Sequence, residues 1–497
     1  VVSLRSLRLV ALFAELNGLQ LLAADVGNAY LEALTKEKVY VIAGPEFGDL
    51  EGHILLIHKA LYGLRTSGAR WHEHFADTLR DLGFTPCKAD PDVWMKNCGT
   101  HYEYICVYVD DLAIAMRNPQ EFIDVLVNDC GYKLKGVGPM EYHLGADIYR
   151  DNDGTLCFGA KSYISRLLRT YESIFGEQPK EYSSPLDRND HPELDTSEEL
   201  PELDIKRFQS LIGALQWAIS LCRFDIQCAV MTLGRFRAAP RIGHMLRVQR
   251  ICGYLRKKPD AAVRFRIGIP DTTIHVEPPR QNWEYVYGDL SEELPFDMPV
   301  PLGKPVRIST FEDANLLHDH VTGRSAMGIL HFVNQTPVEW FSKRQNTVET
   351  ATYGSEFVVA RTATEQIIDL RYTIRMLGVP LDGPAWMFGD NESVVKSATI
   401  PHSSLMKRHN ALAYHRVREA IAAKVLHFCH IPGNQNPANV LTKFLPWATS
   451  WPLIEPILFW KGETDKSASA DDPQKFSLSI ASITEGSDKT LLDYWYG

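Results

Sequence analysis

The spacing of hydrophobic residues predicts several distinct regions along the chain. Residues 104–116 contain two apolar, β-prone runs around an acidic pair, a pattern typical of strand, tight turn and strand. Between 208 and about 265, apolar residues recur at helical spacing. From 306 onward the pattern predicts strands at 306–311, 326–332 and 337–341, a helix over 348–377, a strand at 385–388, a helix over 405–424, a strand at 425–431 and a last helix from Asn436. That order is typical of a mixed-sheet α/β domain.

Polar segments rich in proline separate these regions. Residues 178–203 are acidic, lack an apolar period and carry four prolines, and residues 266–305 carry six. We therefore expect a multidomain α+β protein. The predicted divisions are a first domain at 1–175, an acidic linker at 176–206, a helical connection at 207–265, an insertion or linker at 266–305, the α/β domain at 306–446 and an acidic tail at 447–497.

Composition narrows the class of protein. The 497 residues are 45% hydrophobic, enough for several cores. The nine cysteines are odd in number and include no C-x-x-C pair, which argues against a disulfide scaffold or zinc knuckle and for a reducing compartment. No run approaches about 20 uninterrupted apolar residues, so a membrane span is excluded. No signal peptide is visible, and the first residue, Val1, predicts a start inside a longer product.

Charge is unevenly distributed along the chain. The net charge is −10, with acids concentrated in 172–206 and 447–497. Between Arg235 and Lys258 there are eight bases and no acid. Such a run suits a phosphate backbone, and a solvated helix face is the alternative interpretation.

The first candidate site consists of three acids. Asp110 and Asp111 lie at the predicted turn of 104–116, where they repel each other unless a cation lies over them; an exposed turn is the plain alternative. Asp25 ends an apolar run and could instead cap a helix. Two-metal phosphoryl transfer needs carboxylates from at least two strand ends, and these three acids have that composition.

Four motifs in this region resemble the reverse transcriptases of copia-type retrotransposons. They are Asp25-Val-Gly-Asn-Ala-Tyr-Leu, the block from Lys59 to Trp71, Lys88-Ala-Asp-Pro, and Tyr108-Val-Asp-Asp. The second block is peculiar to copia-type polymerases, and the four motifs in this order are specific.

The resemblance implies a role for each matching residue. It makes Asp25, Asp110 and Asp111 metal ligands, and it places Tyr30 where an aromatic ring blocks a ribose 2′-hydroxyl. A core aromatic is the plain reading of Tyr30, and both can hold. Arg65 matches the basic position of the incoming-nucleotide block, and Tyr108 belongs to the substrate site. Thr66 stands where family members usually have Gln.

A second set of acids is spread over the α/β domain. Asp313 is predicted to follow the strand at 307–311, Glu356 to lie in the first turns of the long helix, and Asp390 to follow the strand at 385–388. Singly, each is an ordinary helix cap or a solvated residue. Together they can converge on a pair of magnesium ions.

The surroundings of these acids resemble the ribonuclease H domain that follows copia-type polymerases. The matching motifs are the segment from Val338 to Val348, Ser355-Glu-Phe, Gly389-Asp-Asn-Glu-Ser and Asn436-Pro-Ala-Asn-Val-Leu-Thr-Lys. The resemblance makes Asp313, Glu356 and Asp390 metal ligands. Asn439 occupies the place of the family's fourth acid, so we expect weaker binding of a second ion.

Taken together, the resemblance covers 1–265 and 306–446. It implies an RNA-directed DNA polymerase with incomplete fingers, a palm and thumb, and a ribonuclease H that degrades the RNA of RNA–DNA hybrids. The implied cofactor is Mg²⁺, or Mn²⁺, and the implied partners are an RNA template, a DNA primer, the hybrid, deoxynucleoside triphosphates and upstream integrase and protease segments. The expected location is intracellular, in a cytoplasmic particle or the nucleus. The alternatives are a decayed element and a nucleic-acid-binding protein without chemistry.

Overall fold

The computed structural model describes residues 1–270, 281–405 and 407–459, which form two compact units. The first unit contains residues 1–143, 299–304 and 375–379, and the second contains the rest of the described chain. Within those described ranges, each helix is too short or too polar to cross a lipid bilayer. The predicted boundary near 175 stays a prediction, and residues 271–280 of the predicted insertion lie outside the described residues.

A six-stranded sheet organises the first unit, with the strand order β4-β5-β6-β7-β1-β8. Its elements are α1 (Leu4–Asn17), β1 (Gln20–Val26), α2 (Ala29–Glu32), β2 (Leu34–Ile42), β3 (Ile54–Lys59), α3 (Ser67–Asp81), β4 (Thr85–Pro86), β5 (Val93–Asn97), β6 (Tyr102–Tyr108), β7 (Asp111–Met116), α4 (Pro119–Asn128), β8 (Leu134–Pro139) and β9 (Tyr142–His143).

The predicted hairpin at 104–116 is confirmed as β6 and β7. Both strands are central in the sheet, which explains why their apolar runs do not alternate with polar residues. Apolar residues of α3, among them Trp71, Phe75 and Leu79, pack against this sheet and form the core beneath the acidic turn.

The chain from residue 144 onward begins with short strands and a group of helices. Its elements up to the second sheet are β10 (Ala146–Arg150), β11 (Leu156–Gly159), α5 (Lys161–Phe175), α6 (Glu202–Leu221), α7 (Gln227–Leu233), α8 (Ile242–Lys257), β12 (Ala262–Arg264) and α9 (Glu284–Tyr287). β10, β11 and β12 pair antiparallel. The helices between 202 and 257 confirm the helical character predicted for 208–265.

The second large sheet has five strands in the order β15-β14-β13-β16-β17. Its elements are β13 (Ile308–Asp319), β14 (Arg324–Val333), β15 (Thr336–Arg344), α10 (Thr352–Met376), β16 (Ala385–Gly389), α11 (Glu392–Thr399), α12 (Ala411–Ala422) and β17 (Leu426–His430), followed by α13 (Trp447–Leu458). The first three strands are antiparallel, and β16 and β17 run parallel to β13. The predicted mixed sheet is confirmed. The helix α11 was not predicted.

Three predictions about this region are wrong in detail. The last helix was expected from Asn436, but a short 3-10 helix spans Pro437–Leu441 and the α-helix begins at Trp447. Asp313 was expected after a strand ending at 311, but β13 continues to Asp319, so Asp313 lies inside the strand opposite Gly328. The tail was expected to begin at 447, yet α13 spans Trp447–Leu458 and buries Leu453, Ile454, Ile457 and Leu458. The prolines at 452 and 456 concealed this helix in the sequence. Residues 460–497 lie outside the described residues.

Candidate active sites

The three acids predicted in the first unit lie at one corner of its sheet. Asp25 of β1 is the direct antiparallel partner of Asp111 of β7, and Tyr108 of β6 is opposite Asp111 on the other side. Asp110 lies in the turn between β6 and β7. The structure thus brings the three acids to the same corner. They are more widely spread than the acids of the second site, because oxygens of all three do not lie within 4.8 Å of one another.

The acidic turn has an unusual backbone, and Trp71 helps to hold it. Val109 adopts φ 61°, a left-handed conformation that is costly for a β-branched residue. Trp71 Nε1 donates a hydrogen bond to the Val109 carbonyl at 2.6 Å, and the Val26 amide donates to the Asp110 carbonyl at 2.8 Å. Trp71 ends the copia-type motif that begins at Lys59, and the turn contact supplies a physical reason for a tryptophan there.

Burial and repulsion act on the charges at this corner. Partial burial, followed by repulsion from Asp110 and Asp25, raises the pKa of Asp111. Tyr62 responds to the same field, since burial and then Asp110 raise its pKa. A cation at this corner would relieve the repulsion, which is the electrostatic condition expected of a metal-binding site.

Two tyrosines lie beside the acids, and one of them was not predicted. Tyr30 follows Asp25 by one short turn, is half-buried against the core and has its ring centroid 4.4 Å from that of Tyr62. Tyr62 is 59% exposed. It was not predicted as a site residue because the sequence identifies it only as part of the motif from Lys59 to Trp71. Arg65 is exposed in the turn before α3 and makes no ion pair with the acids within the described chain.

The second site is more tightly assembled. Oxygens of Asp313, Glu356 and Asp390 all lie within 4.8 Å of one another. Asp313 and Asp390 meet because β13 and β16 are parallel neighbours, with Phe311 opposite Phe388 two residues before each acid. Glu356 comes from the first turns of α10. All three predicted residues are therefore brought together.

Burial makes this cluster strongly unfavourable without a cation. Burial, then repulsion from Asp313, raises the pKa of both Glu356 and Asp390. Three carboxylates and their converging oxygens are the ligand type that Mg²⁺ prefers. The donor set of this site therefore fits the implied metal.

Lys443 is a cation already present at the second site. Its Nζ donates to Asp313 Oδ1 at 2.9 Å and also to Asn439 Oδ1. Burial opposes the charge of Lys443, but the attraction of Asp313, Asp390 and Glu356 raises its pKa overall. Sequence reasoning included Lys443 only as the end of a motif and assigned it no role.

Asn439 is buried beside Lys443. Its Oδ1 accepts from the lysine, and its Nδ2 donates to the Gly433 carbonyl at 2.6 Å. The amide at the fourth position thus has both of its polar ends engaged. It contributes a neutral oxygen where the family has a charged one.

Glu312 is a further acid that sequence reasoning missed. It is 2% exposed, and burial, followed by repulsion from Glu356, raises its pKa well above the usual range. Its Oε2 has no hydrogen-bond partner among the described residues, and its Oε1 lies 2.4 Å from where a Cβ on Gly389 would be. A side chain at position 389 would collide with Glu312, so a glycine is required there. In the sequence, the two consecutive acids at 312 and 313 were the signal that could have identified Glu312.

The basic run between Arg235 and Lys258 does not present the free positive face that its sequence predicts. Arg247 pairs with Asp190 at 2.7 Å and Asp195 at 2.6 Å, and Arg250 pairs with Asp187 at 2.7 Å. Further ion pairs join Arg235 to Asp319, Arg241 to Glu199 and Arg256 to Glu181. Because most of these acids belong to 178–203, the predicted linker is a packed segment that neutralises α8.

Comparisons with known proteins agree with the resemblance to copia-type polymerases. Residues 1–179 match the family described as reverse transcriptase (RNA-dependent DNA polymerase). The Pol polyprotein of transposon RE1 from Arabidopsis thaliana is 23% identical over 84% of this chain and 26% of its own length. The Pol polyprotein of transposon TNT 1-94 from Nicotiana tabacum is 24% identical over 90% of this chain and 31% of its own length. The chain therefore spans about a quarter to a third of these relatives.

A solved structure is also similar to part of the chain. The N-terminal RNase H domain of a Mycobacterium tuberculosis protein, studied as a fusion with maltose-binding protein, aligns with 30% of this chain and 97% of its own at 11% identity and a TM-score of 0.22. The interpretation of the second site rests instead on its own strand order and its converging acids.

The six-stranded sheet and the three acids at its corner lie within the residues that match the reverse transcriptase family model. In this region the chain is similar to reverse transcriptases, and over most of its length it is similar to the Pol polyproteins of copia-type retrotransposons.

Proposed function

We propose that this chain is an RNA-directed DNA polymerase of a copia-type retrotransposon that also degrades the RNA of RNA–DNA hybrids. The observation that carries the proposal is that each of the two units gathers its own set of carboxylates. The partners we propose are an RNA template, a DNA primer, their hybrid and deoxynucleoside triphosphates. The greater length of the polyprotein relatives is consistent with further Pol segments acting alongside it.

Both sites would hold divalent ions. Asp25, Asp110 and Asp111 would bind Mg²⁺ or Mn²⁺ in the first unit, and Asp313, Glu356 and Asp390 would do so in the second. Bound metal pairs supply an activated nucleophile and stabilise the leaving oxygen in phosphoryl transfer. The protein's own contribution in the first unit is a turn held by Trp71 and a ring, Tyr30, one turn away from Asp25.

Extension and cleavage assays test this proposal on the full chain. We expect Mg²⁺-dependent extension of a DNA primer on an RNA template and Mg²⁺-dependent cleavage of the RNA in a hybrid. Hybrid binding without either reaction would favour the nucleic-acid-binding alternative. Loss of both reactions and of binding would favour the decayed element.

Replacing Tyr30 with Ala should allow ribonucleotides to be incorporated. The change removes the ring next to Asp25 that would meet a 2′-hydroxyl. We expect the ratio of ribonucleotide to deoxynucleotide incorporation to rise by at least about tenfold, the discrimination that one steric contact commonly gives. Single-nucleotide extension rates measure the ratio, and Tyr30→Phe, which keeps the ring, is the control. An unchanged ratio in Tyr30→Ala would make Tyr30 a core residue only.

Replacing Asn439 with Asp should lower the Mg²⁺ concentration that gives half-maximal hybrid cleavage. The variant adds a charge beside Lys443 and Asp313, and metal affinity at oxygen sites depends on the number of charged ligands. A magnesium titration of cleavage measures the midpoint. Asn439→Ala removes the oxygen without adding charge and should not lower it. Equal midpoints for wild type and Asn439→Asp would contradict the proposed role of the fourth position.

A further inference from the structure

A group of potential metal ligands lies away from both carboxylate sites. Ligand atoms of His191, Glu193 and His320 all lie within 4.8 Å of one another. His191 and Glu193 belong to the acidic segment 178–203, whereas His320 lies in the turn between β13 and β14. The three residues therefore come from two distant parts of the second unit.

The polar atoms of this group are largely unused. Glu193 Oε1 accepts from the His320 amide at 3.0 Å and contacts His191 Nδ1 at 3.1 Å. In the described chain, Glu193 Oε2, His191 Nε2 and both ring nitrogens of His320 have no hydrogen-bond partner. The Glu193 side chain is only 4% exposed and has no ion pair with Lys or Arg among those residues. The carboxylate of Glu193 and the two imidazoles therefore keep lone pairs that an ion entering from solvent could use.

The neighbouring histidine does not belong to the group. His318 is buried, and its two ring nitrogens contact Thr232 Oγ1 at 3.1 Å and Asn315 Nδ2 at 3.2 Å. A cavity of about 540 Å³ is lined by His191, His318 and His320, so water can reach the group from this side. Two imidazoles, one carboxylate and space for water match a zinc site with three protein ligands.

We propose that His191, Glu193 and His320 bind a Zn²⁺-class ion that fastens the acidic segment 178–203 to the β13–β14 turn. Tetrahedral zinc with bonds of about 2.0–2.2 Å places neighbouring ligand atoms about 3.3–3.6 Å apart, so ligand atoms that lie within 4.8 Å of one another need to approach by no more than about 1.5 Å. The His320 ring must also turn out of its stack on His191, where the centroids are 3.8 Å apart, because an imidazole binds a metal in the plane of its ring. His320 is exposed, so its side chain has room to turn. The site is independent of the proposed polymerase and ribonuclease activities.

Zinc binding can be measured on the full chain by calorimetry in excess Mg²⁺, which occupies the all-carboxylate sites. We expect one tight Zn²⁺ site, weakened at least about tenfold by His320→Ala and by Glu193→Gln, since even partners one shell further out cost 10–100-fold. His58→Ala, at an exposed histidine of the first unit, should leave the affinity unchanged. Zn²⁺ should also slow tryptic cleavage after the exposed Arg188 in the wild type but not in His320→Ala.

A competing cluster makes the test discriminating. Cys98, His101 and Glu103 are the other group containing a histidine that meets the same distance within the described residues. If the tight site is lost in Cys98→Ser and kept in His320→Ala, the proposal is overturned. Co²⁺ gives a second criterion, because a thiolate ligand produces a charge-transfer band in the near ultraviolet and the proposed site should not. Absence of any tight site in excess Mg²⁺ would also overturn it.

Discussion

Replacing Asp110 with Asn should reduce primer extension by about a thousandfold while leaving hybrid cleavage within about twofold of the wild type. Asp110 lies in the turn that Trp71 and Val26 hold, so the isosteric amide keeps the backbone contacts and removes only the charge. A single lost electrostatic contact to a reacting centre commonly costs 10²–10³ in rate, and a lost metal ligand should cost no less. The proposed cleavage site uses acids of the other unit, so cleavage should be spared.

The measurement is Mg²⁺-dependent extension and hybrid cleavage on the same preparation. Asp129→Asn, at an exposed acid after α4, is the matched control and should change neither activity. Equal loss of extension and cleavage in Asp110→Asn would contradict two separate sites. Normal extension by the variant would remove Asp110 from the proposed ligands.

Much of this arrangement could be predicted from local patterns. The hairpin around Asp110 and Asp111 follows from two apolar runs around a turn, and the order of elements around Asp313 and Asp390 follows from changes of hydrophobic period. The convergence of Asp313, Glu356 and Asp390 was expected because two of them were predicted at the ends of strands and the third on a helix facing those strands. The structure confirms that convergence.

Contacts between distant segments could not be predicted in this way. Lys443 reaches Asp313 across 130 residues, and Arg247 reaches Asp190 across 57. Hydrophobic periodicity specifies which face of an element is buried but not which charged residues that face meets. For that reason the basic run was interpreted as a free surface, and Glu312, whose environment depends on Gly389 and α10, was overlooked.

Replacing Asp390 with Asn should abolish hybrid cleavage and at the same time stabilise the metal-free protein. Burial, and then repulsion from Asp313, raises the pKa of Asp390 in the folded state. A carboxyl whose pKa is raised by folding stabilises the fold while it is protonated, and that contribution is lost as the pH rises through the folded pKa. An amide keeps the uncharged form at every pH. The variant should therefore unfold at a higher temperature than the wild type at neutral pH.

Thermal unfolding with and without Mg²⁺ tests both parts of this prediction. Without metal we expect Asp390→Asn to raise Tm by about 2–4 °C, the shift that ~1 kcal/mol produces in a large domain, and the gain should shrink at acidic pH where wild-type Asp390 is protonated. With Mg²⁺ the wild type should gain stability and the variant less, because the metal stabilises the state that binds it. Asp289→Asn, at an exposed acid, should behave as the wild type. Lower stability of metal-free Asp390→Asn, or cleavage that survives the change, would show that Asp390 is a structural acid rather than part of a charged site for metal.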